Sequence, residues 1–291
     1  MMNMKYYLQE MRVHHYIKNL LVFAPLLCSG QFLQPDKLLP SIYAFLSFCF
    51  ISSAVYFIND IRDAEKDRNH PTKRNRPIAA GKISVRAAIC FTIVLIVLAI
   101  LFNCLCFRPF ATVLLVLYFL LNLGYSFGMK NIPLLDVTIL AAGFLIRALY
   151  GSVVTGIEMS DWLYLVILSA AFYLGLGKRR NELKRQGNDE TREVIGKYSF
   201  SFLDSNMYIC MALVFVFYAL WTMDAKTIEA YHGSRLIWTV PVVMLIFMKY
   251  SMTVEGNSDG DPVEVLIHDK VLLGLCALYL VLMTVLLYVI R

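Results

Sequence analysis

The stretch ISSAVYFINDIRDAEKD, residues 51–67, joins an apolar run to a group of metal-binding side chains. On a continuous helix, Asp60, Asp63 and Asp67 fall at positions i, i+3 and i+7, and Asn59 lies one turn before Asp63, so all four share one face. Hard cations such as Mg²⁺ prefer such oxygen ligands. The stretch therefore predicts a Mg²⁺ site where a membrane helix leaves the bilayer. We assign metal binding to Asn59, Asp63 and Asp67, and catalytic roles to Asp60, Asp63 and Asp67.

Composition indicates the class of protein. Hydrophobic residues make up 59% of the 291 positions and charged residues 16%. A typical soluble domain has about 45–50% apolar residues and about 25% charged residues. In lipid, backbone polar groups must be paired within the chain, which favours helices. We predict an all-α, polytopic membrane helical bundle. No long polar linker divides the apolar segments, so residues 1–291 are predicted to form one domain.

Hydropathy predicts about nine transmembrane helices, since a span needs about 20 mainly apolar residues. The predicted spans are Tyr16–Phe32, Leu39–Ile58, Ala87–Phe107, Phe110–Phe127, Leu134–Thr155, Trp162–Gly177, Ser205–Met223, Leu236–Ser251 and Val271–Ile290.

The basic residues are distributed unevenly between the two sides of this bundle. Most lie near the N-terminus and in the loops 61–86 and 178–204, which fall on the same side if the spans alternate. The positive-inside rule places that side, the N-terminus and the active site in the cytoplasm of a cell whose cytoplasmic membrane holds the protein. The basic residues behind the net charge of +6 are therefore expected to set the membrane topology or to bind lipid phosphates. No nucleic-acid partner is predicted.

The loop RNHPTKRNRP, residues 68–77, follows the acidic stretch directly. One interpretation is that its charges only set topology. The other is that Lys73 and Arg76 bind phosphate, because Arg offers a planar fork and Lys a point charge to phosphate oxygens. Carboxylates next to these cations favour a diphosphate that is bridged to the protein by Mg²⁺.

Together these residues resemble a known family. The pattern Asn59-Asp60-x-x-Asp63-x-x-x-Asp67, followed by His70-Pro71-x-Lys73-x-x-Arg76-Pro77, is similar to the first motif of the UbiA-type membrane prenyltransferase superfamily. The resemblance implies a UbiA-like bundle and a Mg²⁺-dependent transfer from a diphosphate. Members that prenylate aromatic rings carry a second Asp-rich motif after the sixth helix.

In this chain the second position is basic, reading Lys178-Arg179-Arg180-Asn181-Glu182. With the early Lys18-Asn19 and the late Asp261-Pro262-Val263-Glu264, this departure resembles the decaprenyl-phosphate phosphoribosyltransferase branch. The resemblance implies transfer of 5-phosphoribose from phosphoribosyl diphosphate to a polyprenyl phosphate, with release of pyrophosphate. A pocket for a diphosphate, a 5-phosphate and a lipid phosphate also requires more positive charge than a prenyltransferase pocket.

We therefore predict five phosphate-binding cations: Lys18, Lys73, Arg76, Lys178 and Arg179. For Lys18 an interfacial, snorkelling position is an equal alternative, and the basic cluster at 178–180 could only set topology. Arg147 lies inside the fifth predicted span and either pairs structurally or serves the pocket. The alternative functions are prenyl transfer to an aromatic or other small acceptor and a transporter or scaffold. A homo-oligomer is compatible with the sequence.

Overall fold

The structure is a computed structural model that describes residues 4–71, 73–185, 193–230, 234–256 and 260–289. The described residues contain helices and turns and no β-strand, which confirms the all-α prediction. The α-helices are α1 Met4–Glu10, α2 Ala24–Cys28, α3 Pro35–Arg68, α4 Val85–Cys104, α5 Pro109–Ser126, α6 Leu135–Thr155, α7 Asp161–Lys184, α8 Phe200–Met223, α9 Ala225–Ala230, α10 Val240–Glu255, α11 Pro262–His268 and α12 Lys270–Thr284.

Within the described part of the chain, eight helical segments are long and apolar enough to cross a membrane, from Pro35–Arg68 to Lys270–Leu287. The first predicted span, Tyr16–Phe32, is not among these eight and takes a different form. It is a 3₁₀ helix over Val13–Phe23, here called the 3₁₀ segment, which continues into the short α2. The prediction of about nine spans is therefore confirmed, although the first one is tighter and shorter than an ordinary membrane helix.

Two helices extend well past the spans predicted from hydropathy. Helix α3 has 34 residues, a length of about 51 Å at 1.5 Å per residue, against a hydrocarbon core of about 30 Å. Hydropathy ends this span at Ile58, but the helix continues to Arg68, so the acidic stretch remains helical. Helix α7 likewise continues beyond Gly177 to Lys184. These two extensions bring the acidic and basic motifs to one end of the bundle.

The interior of the bundle divides into packed groups of helices. The 3₁₀ segment, α3, α5 and α6 meet around Phe48, Tyr118 and Tyr150. Helices α7, α8, α10 and α12 enclose a second group around Tyr173 and Leu203. Aliphatic side chains on the outer faces of α4, α5 and α8 are exposed, as expected for surfaces that face lipid acyl chains.

Arg147 serves the packing of the first group. Its side chain is buried, and its Nε donates to Asn19 Oδ1 at 2.8 Å while Nη2 donates to Tyr118 Oη at 3.0 Å. Asn19 in turn donates to Ser52 Oγ at 3.3 Å. Of the two alternatives from the sequence, the structure supports the pairing role, because the guanidinium joins α6, α5 and the 3₁₀ segment.

The 3₁₀ segment lies so close to α6 that only glycine fits at position 151. A Cβ on Gly151 would lie 1.9 Å from the carbonyl oxygen of Val22. We expect Gly151→Ala to destabilise the protein by about 1–3 kcal/mol or more, because backbone must move to admit the methyl group. The apparent melting temperature in detergent should fall by at least about 3 °C.

Gly274 supplies the matched control for this prediction. It lies inside α12, and a Cβ there would meet nothing within 4 Å. Gly274→Ala should leave the melting temperature unchanged or raise it, since alanine favours a helix interior by about 0.5–1 kcal/mol. Equal melting temperatures for the two variants would contradict the close contact.

Candidate active site

A polar cavity of about 380 Å³ opens where α3 extends beyond the bundle. Its walls come from the end of α1, the start of the 3₁₀ segment, α3, the turn after residue 73, and α11. The charged side chains that line it include Glu10, Arg12, Asp60, Arg76, Asp261 and Glu264. The cavity thus combines the acidic stretch with cations from distant parts of the chain.

Asp60 and Asp67 face this side of α3 and share one guanidinium. Arg76 Nη1 lies 3.0 Å from Asp60 Oδ1 and 2.7 Å from Asp67 Oδ2. Arg12 Nη2 lies 2.6 Å from the other oxygen of Asp60. Both carboxylates are buried, so these charge-assisted contacts form where water screens them little.

Asn59 and Asp63 face a different neighbour. Ser126 Oγ, at the end of α5, donates to Asn59 Oδ1 at 3.3 Å, and Lys130 Nζ lies 2.9 Å from Asp63 Oδ2. The sequence predicted that these two share a face with Asp60 and Asp67. The structure divides the four into two adjacent pairs, because a turn of 3.6 residues separates positions 60 and 63 by about 60° around the axis.

Two members of the donor set, the carboxylates of Asp60 and Asp67, are arranged to suit a divalent cation. The carboxylates of Asp60 and Asp67 converge on a single point, since one nitrogen of Arg76 contacts both. Asn59 Nδ2 donates to Asp60 Oδ1 at 3.2 Å and so joins the two pairs. Carboxylate oxygens that converge on one point are ligands suited to Mg²⁺. Asn59 directs its amide nitrogen toward Asp60, and its amide oxygen accepts from Ser126.

The basic loop after α3 packs back onto the acidic stretch. Arg76 reaches the carboxylates as described, and Lys73 begins the short 3₁₀ turn Lys73–Asn75 beside it. The backbone N–H of Lys73 donates to His70 Nδ1 at 3.4 Å. Thr72 of the motif lies outside the described residues. The structure thus places Arg76 in the cavity wall and Lys73 in the adjoining turn.

Lys18 and Lys178, both predicted from sequence, meet at one carboxylate. Asp261 Oδ2 lies 3.1 Å from Lys18 Nζ and 3.5 Å from Lys178 Nζ. Although burial raises the pKa of Asp261, the ammonium groups of Lys178 and Lys18 hold that pKa below its usual range. The carboxylate is therefore ionised and balances two cations that sequence analysis assigned to phosphate.

Asp261 is held in place by its own backbone surroundings. Its side chain accepts from Val263 N and caps α11. Gly260 precedes it with φ +74°, and a Cβ there would lie 2.7 Å from Asn181 Cβ. The chain therefore approaches α7 closely at this turn, which brings Asp261 within reach of Lys178. Sequence analysis used Asp261 only for the resemblance and missed its position in the site.

Arg179 requires a correction, because the sequence predicted a phosphate ligand and the structure buries the side chain completely. Its Nε lies 2.6 Å from Asp136 Oδ2, and its Nη1 lies 2.5 Å from Glu182 Oε2. Its Nη2 donates to Tyr125 Oη at 2.9 Å. Adjacent residues of a helix point about 100° apart. Lys178 therefore reaches Asp261 at the cavity wall while Arg179 points into the bundle.

Glu10 and Arg12 are further members of the cavity that sequence analysis did not assign. Glu10 is buried at 1% exposure beside Asp60. Burial and the neighbouring Asp60 carboxylate raise the pKa of Glu10 to about 8. This environment favours the protonated form of Glu10 beside the Asp60 carboxylate.

Two apolar cavities of about 320 and 270 Å³ lie between the helices of the bundle. They share Leu21, Phe144, Leu174 and Phe247, so together they form one continuous depression, here called the lateral groove. Lys18 and Pro262 lie at one end of it. Because Asp261 adjoins both residues, the lateral groove begins at the wall of the polar cavity.

Comparison with known proteins assigns the family. A family model described as the UbiA prenyltransferase family matches residues 21–262. The decaprenyl-phosphate phosphoribosyltransferase of Corynebacterium glutamicum is 33% identical over 270 residues, covering 91% of this chain and 81% of that protein. The enzyme of the same name from Mycolicibacterium smegmatis is 33% identical, with 91% and 87% coverage.

A solved UbiA homolog from Archaeoglobus fulgidus, bound to GPP and Mg²⁺, superposes with a TM-score of 0.69 at 18% identity. The match covers 98% of this chain and all of that one, which shows the fold. The family match and the names of these relatives indicate an integral-membrane transferase. The chain belongs to the UbiA prenyltransferase family.

Proposed function

We propose that this protein transfers 5-phosphoribose from phosphoribosyl diphosphate to a polyprenyl phosphate and releases pyrophosphate. The observation that carries the proposal is the pairing of Lys18 and Lys178 on Asp261, across the cavity from the carboxylates of α3. A prenyltransferase that binds a prenyl diphosphate would carry a second acidic cluster at the position of Lys178. Because this chain has basic groups there, the cavity suits several phosphates at once. The names of relatives at 31–33% identity support the same reaction.

The donor would lie between the two halves of the cavity. Asn59, Asp63 and Asp67 would hold Mg²⁺, and Asp60, which converges with Asp67, would support them. When bound, Mg²⁺ stabilises the negative charge that the diphosphate gains as it leaves. Arg76, released from Asp60 and Asp67, would bind phosphate oxygens, and Lys73 in the adjoining turn would add positive charge.

The acceptor would enter from the membrane. Its polyprenyl tail would lie in the lateral groove and its phosphate at Lys18, at the end of that groove, with Lys178 nearby. A phosphate that displaces Asp261 from the two ammonium groups would restore their charge balance. The lipid phosphate is then held beside the donor.

The reaction proceeds by displacement at the anomeric carbon of the ribose. The bond to the diphosphate oxygen breaks as a bond from a lipid phosphate oxygen forms on the opposite face, which inverts that carbon. The nucleophile is already anionic near pH 7, so the step requires no strong general base. The cavity residues thus act by binding and orienting two anionic reactants that would otherwise repel each other.

A reconstituted assay tests the reaction. Purified protein in detergent with Mg²⁺, phosphoribosyl diphosphate and a polyprenyl phosphate should release pyrophosphate and form a ribosylated lipid of one added phosphoribosyl mass. Chelation of the metal with EDTA should abolish both products. Product formation only from an isoprenoid diphosphate and an aromatic or other small acceptor would reject this proposal in favour of prenyl transfer.

The lateral groove predicts dependence on lipid length. Leu174→Trp adds bulk where the two apolar cavities meet, so KM for a long polyprenyl phosphate should rise about tenfold, or about 1.4 kcal/mol. KM for a short-chain acceptor should change little. Leu280→Trp is the matched control, because Leu280 is 56% exposed on α12. Equal effects on both acceptor lengths would contradict the placement of the tail.

We also propose that the N-terminus and the cavity face the cytoplasm, in accordance with the positive-inside rule. Lys82 and Arg108 are both exposed and lie at opposite ends of α4. In right-side-out vesicles, a membrane-impermeant thiol reagent should label Arg108→Cys and spare Lys82→Cys, above the background of the native cysteines. The reverse pattern would place the cavity outside.

A further inference from the structure

A second group of metal-binding side chains lies on another wall of the polar cavity. The ligand atoms of His14, His15 and Glu264 all lie within 4.8 Å of one another. The two histidines begin the 3₁₀ segment, and the glutamate lies in the first turn of α11. Residues about 250 positions apart in sequence thus converge through folding, and they are distinct from the carboxylates of α3.

The contacts within this group already orient the side chains. His14 Nε2 lies 3.4 Å from Glu264 Oε1, and the two imidazole rings meet edge to face with centroids 4.4 Å apart. His15 Nδ1 lies 3.1 Å from the hydroxyl of Tyr56. That contact fixes the ring and leaves Nε2 for a ligand, as outer hydrogen bonds do at known metal sites.

We propose that His14, His15 and Glu264 form a binding site for a divalent transition-metal ion of the Zn²⁺ class. Two imidazole nitrogens and one carboxylate oxygen are the donors of such ions, whereas the all-oxygen set on α3 suits Mg²⁺. In a tetrahedral zinc site, ligand atoms lie roughly 3.4 Å apart. His14 and Glu264 already have this separation, and the side chain of His14 is half exposed.

The metal would join two elements that border the cavity. Glu264 lies three residues after Asp261, which contacts Lys18 and Lys178. A bound ion would therefore fasten α11 to the 3₁₀ segment and stabilise the folded protein by mass action. The inference rests on these three side chains and not on the phosphoribosyl reaction.

Cobalt provides a spectroscopic test that does not depend on activity. Excess Mg²⁺ is first added to fill the proposed α3 site. Co²⁺ added to this purified full-length protein should then give a saturable visible absorption of four- or five-coordinate Co²⁺ at one equivalent. Zn²⁺ should abolish this absorption by competition. Zn²⁺ should also raise the apparent melting temperature of the protein.

Variants then locate the ion. His14→Gln and Glu264→Gln should each weaken Co²⁺ binding by at least about tenfold, because each removes a ligand. Asp63→Asn is the matched control and should retain the spectrum. The side chains of His14 and Glu264 are both partly exposed. The melting temperature of each variant without metal is compared with that of wild type, to show that the variant is folded. A spectrum that persists in both variants, or that only Asp63→Asn removes, would overturn the proposal.

Discussion

The Asp63→Ala variant is expected to lose at least about 100-fold of its Mg²⁺-dependent turnover. Its carboxylate lies in the acidic stretch at the extended end of α3, where it contacts Lys130 at 2.9 Å. Loss of a metal ligand removes several kcal/mol of charge stabilisation from the transition state, and each 1.36 kcal/mol corresponds to a factor of ten in rate. The measurement is the initial rate of pyrophosphate release over a range of Mg²⁺ concentrations.

Glu65 offers a control on the same helical turn. It is exposed and lies off the face that carries the proposed ligands, so Glu65→Ala should retain turnover within about twofold. Both variants remove one carboxylate from α3 and change its net charge by the same amount. A difference in turnover between them therefore reports the position of the carboxylate. Near-normal turnover in Asp63→Ala would remove Asp63 from the metal site.

Arg179→Met is expected to give the largest loss of stability, about 3–5 kcal/mol, because it leaves the buried Asp136 carboxylate without its cation. Asp136 is fully buried and otherwise accepts from Tyr198 Oη at 2.6 Å. The fall in the apparent melting temperature measures the effect. A second change, Asp136→Leu, should restore part of the loss, because it removes the uncompensated charge.

A variant at the neighbouring Arg180 is the control for the loss of one positive charge from α7. Arg180 pairs with Asp204 in a less buried position, so Arg180→Met should cost about 0–1 kcal/mol. In Arg179→Met, the KM for phosphoribosyl diphosphate should remain near that of wild type. Normal stability combined with a strongly raised KM would return Arg179 to the phosphate-binding residues.

Much of the fold followed from local sequence. Membrane spans are visible in hydropathy because lipid imposes a length and a composition on each helix. The acidic stretch was recognisable because helical spacing is itself local, and Asp60 and Asp67 do converge. The end of α3 was not predictable in the same way, since a polar helical extension carries no hydropathy signal.

The rest of the site depends on contacts between distant residues. Lys18 and Asp261 are 243 positions apart, and no pattern near either one indicates the other. Arg179 and Lys178 look alike in a basic run, but the packing of α7 decides which of them reaches the cavity wall. Glu10 ends the short helix α1, and its side chain becomes buried only where α3 and residues 75–77 line the same cavity.

The ion pairs of the cavity also affect the order in which the metal ion and the diphosphate bind. A metal ion that enters alone must separate Arg76 from Asp60 and Asp67 and leave that guanidinium without an anion. A metal ion that arrives with its diphosphate gives the carboxylates a new cation and Arg76 a new anion in one exchange. We therefore expect calorimetry to detect weak Mg²⁺ binding to the free protein and much tighter binding once the donor is present.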